Sequence, residues 1–152
     1  MTPGEARGDG RGPSVTVNHV GLCVTDLDRA RRFYVGALGF TEASTLRPPD
    51  DACTTLLRVE RPVGLTAVYL TRGEFVLELL HYDRPGNPPG RDRPMNEPGL
   101  THLSLTTDDL ATTRAAVAAL GGTELDDTDV GVAVMVRDPD GQLLELLAPR
   151  PR

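Results

Sequence analysis

The chain has 152 residues, the length of about one domain, which excludes two large ones. Sixteen basic residues against twenty-two acidic ones leave a net charge of −6, which excludes a charge-driven grip on nucleic-acid phosphates or anionic lipid. All sixteen basic residues are Arg, and without a Lys amine neither Schiff-base catalysis nor a P-loop is available.

Residues 1–14 are rich in Gly, Pro and charge and have no apolar stretch. They read as a disordered tail rather than a secretory signal. A single domain is expected over residues 15–149, with module one at 15–81, a linker or lid at 82–99 and module two at 100–149. Val17 to Val24 alternates as a strand, and Thr25 with Asp28 three positions on resembles a capping box. A helix should follow, because Leu27, Ala30, Tyr34, Ala37 and Leu38 recur at near-helical spacing before Gly39.

Pro48-Pro49-Asp50-Asp51 reads as a loop, and strands are expected over Thr54 to Val59, Leu65 to Thr71 and Glu74 to His81. The last two meet at a tight turn, Arg72-Gly73. Residues 81–98 hold five prolines and three arginines among few apolar residues, so no element is expected there. Module two repeats the order: a strand from Thr101 to Thr107, a helix sharing Leu110, Val117 and Leu120 on one face, and strands near Val132 to Arg137 and Gln142 to Ala148. Asp138-Pro139-Asp140-Gly141 is a turn between the last two.

The two modules are copies at low identity. Asn18-His19-Val20-Gly21-Leu22 lies over Thr101-His102-Leu103-Ser104-Leu105 at a shift of 83 positions, and Asp26-Leu27 falls on Asp109-Leu110. Leu77-Glu78-Leu79-Leu80 recurs as Leu144-Glu145-Leu146-Leu147 at a shift of 67. The difference, 83 − 67 = 16 residues, is extra chain in module one between Thr41 and Gly64. Each module reads βαβββ.

The repeat puts a His in each first strand and a Glu in each last one. Alternation sets Val20, Leu22 and Val24 toward the helix, and His19, Gly21 and Cys23 away from it. His102 likewise shares its face with Ser104 and Thr106. Glu78 and Glu145 are flanked by aliphatic residues, where an ionised carboxylate must be paired, shift its pKa or bind a metal. A single strand His is more often hydrogen-bonded core or surface, and a single Glu more often an edge residue. It is the matched placement of all four that singles out His19, Glu78, His102 and Glu145. Two imidazoles and two carboxylates suit a divalent Zn, Ni, Co, Mn or Fe ion and leave positions open for catalysis.

Other chemistry is thin. GxSxG, CxxC and GxGxxG motifs are absent, and Ser occurs only at 14, 44 and 104. Cys23 and Cys53 lack the close spacing of a zinc or redox pair, and a reducing, cytoplasmic setting is expected. Arg84, Arg91 and Arg93 could clamp an anion from the linker, although such a loop is more often solvated. Phe33 and Tyr34 read as core, and His81, which does not repeat, as a surface or pocket-rim residue.

Asn18 to Leu22, the run from Thr25 to Tyr34, Leu38-Gly39-Phe40, Gly99 to Leu103 and Asp138 to Gly141 with Glu145 together resemble the vicinal oxygen chelate (VOC) superfamily. That superfamily includes glyoxalase I, methylmalonyl-CoA epimerase, extradiol dioxygenases and antibiotic-resistance proteins. The resemblance implies an α+β fold of two βαβββ modules whose curled, mixed sheets form an open barrel around one divalent metal. It further implies that His19, Glu78, His102 and Glu145 are the ligands, and that Glu78 or Glu145 moves a proton beside a substrate carbonyl through a metal-stabilised enediolate.

The ligand set is most similar to the glyoxalase I and epimerase branch, a metal-dependent lyase or isomerase of small oxygenated substrates, and a homodimer is implied. A non-haem Fe(II) dioxygenase and a small-molecule-binding resistance protein are the alternatives. No nucleic-acid or membrane partner is expected.

Overall fold

A computed structural model describes residues 15–83, 88 and 90–149. The tail expected at 1–14 and Arg84 of the linker lie outside those residues. Module one runs β1 (Val20–Cys23), α1 (Leu27–Gly36), β2 (Thr41–Leu46), α2 (Asp50–Leu57), β3 (Leu65–Arg72) and β4 (Phe75–Tyr82). Module two runs β5 (Leu103–Thr106), α3 (Leu110–Ala119), β6 (Thr123–Glu124), a 3-10 turn (Asp126–Thr128), β7 (Ala133–Arg137) and β8 (Leu143–Leu147). Each module forms a four-stranded mixed sheet, in the orders β1-β4-β3-β2 and β5-β8-β7-β6. The first and last strands of each are parallel, and the other pairs are antiparallel.

Three expectations are corrected. The strand expected over Thr54 to Val59 is helix α2, and the second strand of module one is β2 at Thr41–Leu46. Pro49 takes the cap position with extended backbone, while Asp50 and Asp51 fill the first turn, where carboxylates favour the helix dipole. The cap of α1 is Asp26, whose carboxylate accepts from Arg29 N at 2.9 Å; Thr25 instead bonds Asp140 across the modules. Asp109 caps α3 in the same way through Thr112 N. The hairpin turn is Gly73-Glu74, one residue later than expected, and Gly73 has φ +58°, a conformation that favours glycine.

One core serves both modules. Val68, Leu70, Leu77 and Leu79 of the first sheet and Val134, Val136, Leu144 and Leu146 of the second are buried in a single cluster with Phe33, Tyr34 and Val117. The DPDG turn anchors the contact. Asp140 accepts from Thr25 and Arg29, while the buried Tyr34 hydroxyl donates to Asp138 at 2.9 Å. At the matching place on the other flank, module one has only its short hairpin turn. A cavity of about 760 Å³ lies there, lined by Phe40, Arg72, Phe75, Asp108 and Thr112 among others. Among the described residues, no helix is long and apolar enough to cross a membrane.

Candidate metal-binding faces

Since the odd-numbered side chains Leu77, Leu79 and their sheet neighbours fill the core, alternation turns Glu78 to the opposite face. His19, one residue ahead of β1, reaches it there, with Nε2 3.0 Å from Glu78 Oε2. The other ring nitrogen, Nδ1, lies 2.6 Å from Asn18 Oδ1. An amide oxygen can only accept, so Nδ1 donates in that contact. Nε2 and a carboxylate oxygen at 3.0 Å are held together by a proton or a cation between them, and an outer partner on the second ring nitrogen is the usual setting of a metal-ligating His.

Module two builds the same pair more loosely. His102 Nε2 stands 3.7 Å from Glu145 Oε2, Thr101 Oγ1 lies 2.9 Å from His102 Nδ1, and Ser104 Oγ donates to Glu145 Oε2 at 2.6 Å. Glu78 is the more enclosed carboxylate, with 12% of its side chain exposed against 29% for Glu145.

The structure thus joins His19 to Glu78 and His102 to Glu145, but it does not bring the four together. Among the described residues, no group of three or more His, Cys, Asp and Glu side chains converges as a metal site. Both pairs lie on faces turned away from the shared core. The donor types fit a divalent ion, and each face supplies two of the four.

Tyr69 was not legible as a site residue, yet it stands opposite Glu78 in the β3–β4 register. Its ring meets that of His19 edge-on, with centroids 5.6 Å apart. Hydrogen bonding to Glu78, with burial and the carboxylate charge behind it, pushes the phenol up to about 12. Counting back from the hairpin turn would have found this residue. Arg91 and Arg93 are engaged within the linker: both bond Glu97, and Arg93 also holds the Pro98 and Leu100 carbonyls. His81 is half-buried beside Asp83, at the rim of a separate cavity.

The family model for the Glyoxalase/Bleomycin resistance protein/Dioxygenase superfamily matches residues 16–146. The chain belongs to that superfamily. A glyoxalase family protein from Bacillus cereus is similar in structure, with a TM-score of 0.78 at 15% identity, covering 93% of this chain and 98% of that one. The trypanothione-dependent glyoxalase I of Leishmania major gives 0.66 at 24% identity, over 89% and 87% of the two chains. The fosfomycin resistance protein FosX of Mesorhizobium loti gives 0.62 at 18% identity, over 89% and 92%. No curated protein matches the sequence. Superfamily membership accounts for the paired βαβββ modules, and these likenesses support the fold.

Proposed function

We propose that this VOC-superfamily chain is a divalent-metal-dependent lyase or isomerase of the glyoxalase I and epimerase type. Its substrate is a small oxygenated molecule with a C–H bond next to a carbonyl. The observation that carries the reading is the matched pair of His–Glu contacts, each with its imidazole Nε2 directed at a carboxylate oxygen.

Two donors per face are too few for a catalytic ion, so the working site joins two chains. In the homodimer we propose, His19 and Glu78 of one protomer face His102 and Glu145 of its partner, giving two sites per dimer. Apolar exposure supports this. Val17 and Leu100 occupy equivalent positions two residues ahead of the histidines, and they are 89% and 83% exposed. Side chains of that kind on unpaired, extended chain suit burial against a second copy.

A divalent ion held there would supply Lewis acidity that polarises the carbonyl and acidifies the adjacent C–H. His19 and His102 would hold the ion through Nε2, with Asn18 and Thr101 beside their Nδ1 atoms to orient the rings. The carboxylate of Glu78 or Glu145 takes the proton from carbon and returns it to the neighbouring atom.

The test is metal content per chain, by plasma mass spectrometry on untagged protein purified without chelator. Close to one Ni, Co, Zn or Mn per chain is expected, followed by turnover of 2-oxoaldehyde adducts or acyl-CoA epimers. Stoichiometric Fe with oxygen consumption would replace the reading with oxygenase chemistry. No ion, with none taken up on reconstitution, would overturn it in favour of a small-molecule-binding protein.

A further inference from the structure

The two carboxylates occupy equivalent strand positions but have different neighbours. Glu78 lies between Gly21 on β1 and Tyr69 on β3, while Glu145 lies between Ser104 on β5 and Met135 on β7. The hydroxyl on Glu145 therefore comes from a short serine on the parallel strand, and the thioether opposite it donates nothing. Opposite Glu78 stands a phenol on the antiparallel strand, electrostatically coupled to that carboxylate, whose ring abuts His19 at an interplanar angle of 85°. One rigid side chain thus touches both members of the first pair. The residue at that register position in the second pair, Met135, has neither a ring nor a hydroxyl with which to make those two contacts.

We propose that Tyr69 is a positioning residue that locks His19 and Glu78 into a single ligand geometry, so that module one supplies the preset half of the site and module two the adjustable half. The tighter contact in the first pair, 3.0 Å against 3.7 Å, and the lower exposure of Glu78 are the expected marks of that lock. The inference rests on the metal reading above for its functional meaning, but its geometric content can be tested without metal.

Tyr69→Phe removes the hydroxyl and keeps the ring, so the fold is preserved, and Met135→Leu is the matched control. The chain has three histidines, which makes their ring signals separable by NMR. In metal-free protein, Tyr69→Phe is expected to move the His19 signals and leave those of His102 in place; unmoved His19 signals overturn the proposal whatever the metal result.

In competition titrations with Co(II), Tyr69→Phe is expected to bind about 10–100-fold more weakly, the usual cost of losing an outer partner of a ligand, with a changed visible spectrum. Met135→Leu should bind as wild type does. Equal affinity and an identical spectrum for Tyr69→Phe overturn the proposal alone. Absence of Co(II) binding by the wild-type protein overturns the metal reading and the functional role of Tyr69 together.

Discussion

Tyr34 and Asp138 show how much of the molecule hangs on side chains outside the site. The tyrosine ring is fully buried against Phe33 and Phe40, and its hydroxyl donates to a carboxylate that also accepts from the backbone of Asp140 and Gln142. Tyr34→Phe leaves that buried oxygen one donor short and should cost about 1–3 kcal/mol, read by urea denaturation. Burial pushes the Asp138 carboxyl up, against the pull of those three bonds. With the folded value raised, its contribution to stability is present below the ordinary carboxylate range and is lost as pH rises through the folded value. Asp26 and Asp109, held low mainly by backbone bonds from Arg29 and Thr112, act in the opposite sense as pH falls. The stability difference between wild type and Asp138→Asn isolates the first effect and should shrink as pH rises across that window. A flat difference would refute the assignment. At this scale the sequence was partly legible: repetition and alternation singled out His19, Glu78, His102 and Glu145, which the structure joins two by two. Tyr34 read as core, but its bond to Asp138 spans 104 positions, and no local pattern encodes such a partner.

Among the elements, α2 was the least legible. Pro48-Pro49-Asp50-Asp51 carries both turn and helix-start chemistry, and the β-branched Thr54 and Thr55 tilted the reading toward strand. What settles it is tertiary: Cys53 is buried with Val63 and Leu65, and the Asp50 carboxylate accepts from the backbone of Val63 and Gly64. The four-strand plan of each module and the α+β class were legible from the repeat, while the second strands, β2 and the two-residue β6, were not located and α2 stands between β2 and β3. Where the modules meet, Gly122 carries a sharp prediction. A Cβ there would lie 2.6 Å from Val117 Cγ1, 2.7 Å from Phe33 Cε2 and 2.8 Å from the Arg137 carbonyl oxygen. Gly122→Ala should therefore cost about 1–3 kcal/mol through overpacking. At Gly36 a Cβ meets only the tip of Leu120, at 2.7 Å, which can turn aside. Gly36→Ala should be close to neutral, and equal denaturation midpoints for the two variants would argue against this module contact.

For the whole molecule, the composite site predicts complementation. A His19→Ala/Glu78→Ala variant and a His102→Ala/Glu145→Ala variant should each lose the metal site. Co-expressed in equal amounts, they should regain about a quarter of wild-type metal content, because half of the randomly assembled dimers carry one intact site of two. Failure to regain any would place the whole site within one chain or nowhere. Light scattering should show the dimer directly, and Val17→Asp with Leu100→Asp should shift it toward monomer. The shared interior carries a separate consequence. Leu77 and Leu79 share one cluster with Leu144, Leu146 and Val117 as well as with Phe33 and Tyr34 of their own module, so separating the modules would present part of that buried face to water. Cut in the linker, residues 15–83 and 99–149 should fold on mixing and stay largely unstructured apart, and the intact chain should melt in one transition. The unit of repetition is one module, while the unit of cooperativity is two.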